Sequence, residues 1–453
     1  MTPGANEICA FAVKRGEIEK RLDAGYNLPN IREHESQNQI MLGSLCLREP
    51  DYGLSETAIA RTNESQPKYI RITDFSDYGI EDGHVFTTVA SYLPKNVLND
   101  GDILFARSGA TVGKTYRHDK SLGLAVFAGY CIRFAINPEK ALPEYVYWYT
   151  KTQRYADWVR KLQRPSGQPN INKEEYKALK IILPSLKKQV WLVSGISAAS
   201  RQRAIKLRQA DELLSGMDAF LLDRLEIGEI AVKPRIAFAV TLGMLKSENT
   251  IGAEYYHPER LAVIRAIEAA PSASTRKLVD IADFLRKTVS AEGKPYLGLA
   301  GIMGNTGELS GEEEEAEGEA FSYDAADVLY ARLRPYLNKV LFAETDGVCS
   351  TEFHVMRVKC VDVLPEYLAT VMRSKIIVAQ TKHMMTGNTH PRISNDDVQN
   401  LRIPIPAAEI QRIIVDEMRR RVERSRQLKG EAETEWVAAK ERFERELMGR
   451  DRD

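Results

Sequence analysis

The sequence predicts an α+β fold with two duplicated α/β domains, each followed by a long helix, and the two helices pairing as a coiled coil. Blocks of sequence recur in the same order more than 200 residues apart, and short alternating apolar runs within each block indicate strands. A narrow apolar stripe with heptad spacing follows each block. We predict domains at residues 1–186 and 228–408, with long helices at 187–227 and 409–453.

The repeat is clearest in two blocks. GDILFARSGATVGK (residues 101–114) corresponds to ADVLYARLRPYLNK (residues 326–339), at an offset of 225. QPNINKEEYKALKIILPSLKKQ (168–189) corresponds to HPRISNDDVQNLRIPIPAAEIQ (390–411), at an offset of 222. A period of this length indicates one duplicated domain rather than a solenoid of short repeats.

The stretch LFARSGATVGKT looks like a phosphate-binding loop, but its spacing is wrong. Such a loop needs a glycine five residues before Gly113, and that position is Ser108. The residues that follow read as a strand rather than a helix. The second copy replaces Gly109 and Gly113 with Arg334 and Asn338. We therefore predict a strand that ends in a basic turn, once in each copy.

Later in each copy, Asn172 or Ser394 stands ahead of acidic residues and is predicted to cap a short helix. A Pro-bearing strand and then the long polar helix follow. Each stripe is too narrow to stabilise a lone helix, so we expect the two helices to pair, although each could instead pack on its own domain. The predicted seam consists of Val193, Ile196, Leu207, Leu214, Met217 and Leu221 with Val415, Met418, Val422, Trp436 and Phe443.

Composition narrows the possible functions. Lys+Arg and Asp+Glu are equal at 63 each, so only a local basic patch could favour nucleic acid. The five cysteines form no Cys-x-x-Cys pair and the seven histidines no HExxH motif, so we predict no metal site and a reducing cytoplasm. We also predict no signal peptide and no membrane span. Motifs of an adenine methyltransferase, a nuclease or an ATPase are not found, which predicts a protein that is not an enzyme.

The repeated blocks, together with INPEKALPEYVYWYTKT (residues 136–152), resemble the specificity subunit of type I restriction–modification enzymes. The resemblance covers essentially the whole chain. It implies that each globular unit is a target recognition domain for one half of a split site in double-stranded DNA. It also implies that the helices form an antiparallel coiled coil that sets the distance between the halves.

In that family the subunit has no catalytic chemistry. It docks modification subunits, which methylate adenine, and restriction subunits in the full complex. The resemblance therefore places S-adenosylmethionine, ATP and Mg on partner subunits and no cofactor on this chain.

Basic and polar residues in or near the predicted turns are the candidate DNA contacts. Arginine and lysine can neutralise phosphates, arginine can bind guanine through two hydrogen bonds, and Asn or Gln suits adenine. Alternatively, the arginines pair with carboxylates at the edge of the core and the polar loop caps the next helix. The candidates are Arg107, Ser108, Lys114, Arg164, Gln168, Asn170, Arg332, Arg334, Lys339, Asn388, Thr389, His390 and Arg392.

A second function remains open at this stage, namely a coiled-coil adaptor whose duplicated domains bind protein partners without reading DNA sequence. The neutral net charge and the acidic run GEEEEAEGEA (residues 311–320) favour it, because such a run would repel a phosphate backbone. The order of the repeated blocks favours DNA.

Overall fold

The structure is a computed structural model that describes residues 39–76, 79–80, 83–162, 169–228, 230, 238–243, 245, 252–312, 314, 318–387 and 389–449. The chain divides into two compact units. The first unit comprises Met1–Ala204 and Ala432–Asp453, and the second unit comprises Ile205–Glu431.

The first unit contains a two-stranded sheet, β1–β10, and two four-stranded sheets with strand orders β2-β9-β6-β7 and β3-β5-β4-β8. All pairs are antiparallel except β4 with β8. The central strands β6 and β9 are fully buried, which explains their almost continuous apolar sequence. The strands are β1 Gln39–Met41, β2 Asp51–Tyr52, β3 Ile59–Ala60, β4 Lys68–Ile70, β5 Thr87–Thr88, β6 Ile103–Ala106, β7 Thr115–Arg117, β8 Ala125–Phe127, β9 Cys131–Phe134 and β10 Lys180–Ile182.

Three short helices of the first unit lie between β9 and β10, and a long helix follows. Their bounds are α1 Pro143–Tyr149, α2 Gln153–Leu162, α3 Lys173–Lys177 and α4 Leu186–Ser215. The predicted cap of α3 is confirmed: the Glu175 backbone N–H donates to Asn172 Oδ1 at 2.9 Å, and the Asn172 N–H donates to Glu175 Oε2 at 2.8 Å. This reciprocal pair fixes where the chain enters α3.

The second unit repeats this architecture, with β11–β20, then β12-β19-β16-β17, then β13-β15-β18-β14. One detail differs, because β5 pairs with β4 in the first unit whereas its counterpart β15 pairs with β18. The strands are β11 Ala273–Lys277, β12 Ala282–Leu285, β13 Thr288–Ser290, β14 Tyr296–Leu297, β15 Glu319–Tyr323, β16 Val328–Ala331, β17 Val340–Phe342, β18 Gly347–Cys349, β19 Phe353–Val358 and β20 Arg402–Pro406.

The helices of the second unit follow the same order after the main sheet. The predicted cap at Ser394 is confirmed, since its Oγ accepts a hydrogen bond from the Asp397 N–H at 3.1 Å. The bounds are α5 Met217–Arg224, α6 Pro258–Glu268, α7 Leu278–Ile281, α8 Pro365–Met372, α9 Lys375–Thr381, α10 Asn395–Gln399 and α11 Ala408–Leu447.

The long helices α4 and α11 contribute residues to both units and run antiparallel within each. In the first unit the Arg442 guanidinium lies 5.7 Å from the Trp191 ring, and Arg203 lies 3.5 Å from Glu433. In the second unit Lys206 pairs with Glu431 at 2.9 Å, while Arg421 lies 5.0 Å from the Phe220 ring in α5. In these contacts the residue number increases along the first helical segment as it decreases along α11, which is the pattern of an antiparallel pair.

Just over half of the predicted seam residues are buried, and several of them also belong to the hydrophobic cores of the two units. Trp436 and Phe443 pack in the core of the first unit, and Val415, Met418 and Leu221 in that of the second. Both proposed roles of the helices, pairing and packing on a domain, are therefore combined. Ile196 is also buried, whereas Val193, Leu207, Leu214, Met217 and Val422 are half-buried.

The first long helix is interrupted, which the stripe did not predict. α4 ends at Ser215 and α5 begins at Met217, with Gly216 between them. A Cβ at Gly216 would lie 3.0 Å from Nη1 of Arg421. The arginine of α11 therefore occupies the space that a larger residue would need.

Candidate nucleic-acid interface

The basic turn of the first unit is a β-hairpin turn, residues 107–114, between β6 and β7. The Ala106 N–H donates to the Lys114 carbonyl at 2.9 Å, and the Gly113 N–H donates to the Ala106 carbonyl at 3.0 Å. A short 3₁₀ turn, Gly109–Thr111, completes it. A strand follows rather than a helix, so the helix N-terminus of a nucleotide loop is absent from this described stretch.

A second loop packs beside this first hairpin turn. The Gly109 N–H donates to the Pro169 carbonyl at 3.1 Å, and the Ile171 N–H donates to the Arg107 carbonyl at 2.8 Å. Ser108 and Asn170 form an isolated antiparallel bridge. Three candidates from two separate blocks, Arg107, Ser108 and Asn170, therefore lie side by side.

The second unit builds the same element from different residues. Its hairpin turn, residues 332–339, joins β16 to β17, and the Arg334 N–H donates to the Pro391 carbonyl at 2.7 Å. The Ile393 N–H donates to the Arg332 carbonyl at 3.1 Å, and Leu333 bridges Arg392. These contacts correspond one for one to those of the first unit.

The two hairpin turns share left-handed backbone at equivalent positions. In the first unit φ is +74° at Gly109 and +88° at Gly113. In the second unit φ is +49° at Arg334 and +55° at Asn338. Glycine adopts this region without strain and asparagine tolerates it, whereas arginine is strained there. The glycines therefore serve the shape of the turn and not an anion cradle.

Arg107 is held by neutral groups. Its Nε lies 3.5 Å from Asn170 Oδ1, and its guanidinium carbon lies 5.0 Å from the centre of the Tyr52 ring. These two partners carry no negative charge, so they orient the arginine without cancelling its charge. A phosphate or a guanine edge could bind to such a group.

The arginines of the second hairpin turn differ in their surroundings. Arg392 forms a two-point ion pair with Glu352, with N–O distances of 2.8 and 3.0 Å, and that carboxylate raises the pKa of Arg392. Arg332 has a buried Nε without a hydrogen-bond partner among the described residues, and Arg334 is exposed. The charge of Arg392 is thus balanced by the Glu352 carboxylate, whereas one N–H group of Arg332 has no acceptor among the described residues.

The two candidate lysines lie at the far end of their turns, away from the arginines' loop. Lys339 Nζ donates to the Leu299 carbonyl at 2.7 Å. Lys114 lines a cavity of about 380 Å³ together with Lys151 and Lys440. Each hairpin turn therefore has an arginine at its first residue and a lysine at its last residue.

The remaining candidates are less informative. Thr389 and His390 are exposed on the loop beside the second hairpin turn. Arg164, Gln168 and Asn388 lie outside the described residues. A DNA-contact role for all of the candidate residues stays a prediction.

Two residues beside the arginines were missed by the sequence analysis. The Arg107 N–H donates to the carbonyl of Tyr130 at 3.0 Å, and the Arg332 N–H donates to that of Glu352 at 2.8 Å. The side chain of Tyr130 is 63% exposed. Neither lies in a repeated block, and the neighbouring strand brings each one in, so no local sequence signal marks them.

One cluster could hold a metal ion among the residues that the structure describes. His257, Glu259 and His383 place ligand atoms within 4.8 Å of one another. His383 Nε2 already lies 2.7 Å from a Glu259 carboxylate oxygen, and Lys382 Nζ lies 3.0 Å from it. The imidazole rings of His257 and His383 stack at 3.4 Å. Spacing along the chain cannot reveal this cluster, because His383 is distant in sequence, and the lysine competes with any cation.

A family model for the type I restriction modification DNA specificity domain matches residues 55–214 and 275–431, which is more than half of the chain. The chain belongs to this family. The two matches coincide with the two copies of the repeat, so this member of the specificity family carries two DNA specificity domains. The predicted resemblance is confirmed.

A curated relative is the specificity subunit of the type I restriction enzyme EcoDI of Escherichia coli. It is 22% identical over 314 residues, which is 66% of this chain and 66% of that protein. The chain thus spans about two thirds of the length of this relative.

A solved structure, the S subunit of a type I restriction–modification system from M. genitalium, has a TM-score of 0.50 at 12% identity. The match covers 92% of this chain and 98% of that one, and it supports the fold. The predicted fold class is confirmed.

Two further findings concern catalysis and membrane spans. Neither matched region indicates a catalytic family. Among the described helices, none is both long enough and apolar enough to cross a membrane.

Proposed function

We propose that the chain reads a bipartite site in double-stranded DNA, with one domain for each half-site, and catalyses no reaction itself. It directs modification subunits, which methylate adenine with S-adenosylmethionine, and restriction subunits that use ATP and Mg. The complex acts in the cytoplasm. Family membership supports the DNA specificity role, and the details of site and partners are our proposal.

The observation that carries this proposal is the hairpin turn and its adjacent loop, built twice on one backbone plan with different side chains. Asn170 in the first unit corresponds to Arg392 in the second, and Tyr130 corresponds to Glu352. Asparagine suits adenine and arginine suits guanine, and Glu352 holds Arg392 through their two-point ion pair. Two such surfaces would have related geometry and different base preferences, as a split asymmetric site requires.

The arginine that both turns share supports contact with the DNA backbone. Arg107 and Arg332 occupy the same position after β6 and β16, where their backbone atoms hold the adjacent loop. A cation repeated in both copies fits a feature that both half-sites share, and the phosphates are the same for every sequence. The variable neighbours would then distinguish the bases.

The test is methylation of random-sequence DNA by the chain together with its modification subunits, followed by single-molecule detection of methylated adenine. We expect one bipartite motif with a fixed spacer. The control is the modification subunits without this chain, which should leave no such motif. Methylation with no bipartite pattern in the complete complex would overturn the proposal.

A further inference from the structure

A cavity of about 480 Å³ lies in the second unit. It is lined by the long helices α4 and α11, by α5, and by residues 303–306 and 370–375 of the domain. Three cationic residues line it, Arg373, Lys375 and Lys429, together with polar groups such as Thr306 and Ser374. It adjoins the second hairpin turn, because the Asn338 side-chain amide donates to the Arg373 carbonyl. None of these cations was a candidate from sequence.

Arg373 is poorly satisfied for an arginine in this position. Its Nε is buried and has no hydrogen-bond partner among the residues that the structure describes. Its Nη2 reaches only Thr370 Oγ1, at 3.4 Å. Burial lowers the pKa of Arg373 to about 10, even though the charges of Glu366 and Glu308 act in the opposite direction. Arg373 is half-buried and forms no ion pair with either of these carboxylates, so its guanidinium can still take an anion as a hydrogen-bond partner.

The other two cationic residues, both lysines, are already close to carboxylates. Lys375 Nζ lies 3.8 Å from Asp218, and Lys429 Nζ lies 3.4 Å from Asp211. Both lysine side chains are well exposed, at 77% and 45%. They add to the positive potential of the cavity, which Asp218 also lines, and Arg373 is the one of the three cations that has no ion pair among the described residues.

A cavity at the corresponding place in the first unit supports a functional role for the cavity around Arg373. It measures about 380 Å³ and is lined by Lys114, Lys151 and Lys440 with Thr150 and Thr152. Lys151 corresponds to Arg373 at the repeat offset of 222. Its Nζ reaches across to the Thr115 carbonyl at the start of β7, at 3.0 Å. A cation thus recurs beside both hairpin turns although the residue type has changed.

We propose that the cavity around Arg373 binds one backbone phosphate of the DNA that lies against the second hairpin turn. This inference rests on the proposed function. A phosphate supplies several acceptor oxygens and a negative charge, which would accept hydrogen bonds from the guanidinium of Arg373 and balance the three cations that line the cavity. A phosphate contact is independent of base sequence, so the cavity fixes the position of the DNA rather than its identity.

The test measures DNA affinity against salt concentration, with the full chain and its modification subunits, for Arg373→Met on cognate and random duplexes. Each neutralised phosphate contributes about 0.9 to the slope of log affinity against log salt. We expect Arg373→Met to make the slope about 0.9 shallower on both duplexes, and Arg373→Lys to restore most of it. Arg426→Met, which removes an exposed arginine paired with Glu423 in the same unit, is the matched control and should leave the slope unchanged.

Thermal unfolding without DNA separates this role from a structural one. Since Arg373 forms no ion pair among the described residues and its desolvation disfavours the charged form, Arg373→Met should keep or raise the melting temperature. A lower melting temperature would assign a structural role and overturn the proposal. Stabilisation of the wild-type chain by inorganic phosphate, with an unchanged DNA salt slope in Arg373→Met, would assign the cavity to free phosphate and also overturn it. Failure of the proposed function would show separately, as the lack of a bipartite methylated motif with the wild-type chain.

Discussion

The backbones of Ser108 and Asn170 pair as an isolated antiparallel bridge, and those of Leu333 and Arg392 pair in the same way in the other unit. The bridge fixes the loop against the hairpin turn, and it leaves the side chain at position 170 or 392 exposed. Equivalent backbones with different exposed side chains make these positions suitable for exchange between the units.

Replacing Asn170 by arginine, the residue at the equivalent position, should change one half-site only. A bidentate side chain–base contact discriminates between bases by about 1–3 kcal/mol. We therefore expect a shift from adenine towards guanine at one position of one half-site, read by methylated-adenine sequencing. The reciprocal Arg392→Asn variant is the control and should alter only the other half-site. Changes in both halves from either variant would contradict independent readout.

Gly113 should tolerate no side chain. Its φ of +88° is left-handed, and a Cβ would lie 2.7 Å from Cγ1 of Val159. We expect Gly113→Ala to destabilise the first unit by about 2–4 kcal/mol, from backbone strain plus overpacking. The measurement is denaturant unfolding.

Gly123 provides the control for the glycine experiment. Its φ is +83°, but a Cβ there would meet no atom within 4 Å. Gly123→Ala should therefore show the backbone strain alone, about 1–2 kcal/mol. Equal losses for the two variants would contradict the close approach to Val159.

His354 should make stability depend on pH. Burial lowers its pKa to about 3, and the charges of Arg332 and Arg286 act in the same direction. Because the unfolded histidine binds its proton near pH 6.5, stability is complete above that pH and decreases as pH falls towards 3. At pH 4.5 the loss is about 3 kcal/mol. Unfolding of His354→Gln as a function of pH should lack this contribution, whereas the exposed His390→Gln should retain it.

Trp436 should be a major stabilising residue of the first unit. It is 1% exposed, and its ring centre lies 5.8 Å from that of Trp148. We expect Trp436→Ala to cost about 3–5 kcal/mol, from lost burial and the cavity left behind. Val437, the next residue on α11, is 40% exposed, so Val437→Ala should change the unfolding free energy by less than about 1 kcal/mol. Similar effects from both would contradict the packing role of Trp436.

The duplicated architecture could be predicted because the repeats preserve order as well as residue type. The caps at Asn172 and Ser394 were also predictable, since a polar side chain ahead of acidic first-turn residues satisfies free N–H groups locally. The same holds for the turn after β6, where Ser108 occupies the place of a required glycine. Features within a few residues of one another leave a readable signal.

Features made by distant residues could not be predicted. Tyr130 reaches Arg107 only because β9 lies beside β6 in the sheet. The different pairing of β5 and β15 depends on long-range packing, which short strands specify weakly. The contact at Gly216 is made by Arg421 from the other long helix, which lies about 200 residues later in the chain.

The left-handed residues of the two hairpin turns have a consequence for how this duplicated gene could diverge. The two copies share this backbone path, although the second has Arg334 and Asn338 where the first has two glycines. At Arg334 this adds a cation where the sister turn has no side chain at all. The two turns thus share a shape and differ in chemistry, so the two halves of this chain are better aligned by their backbone angles than by their glycines.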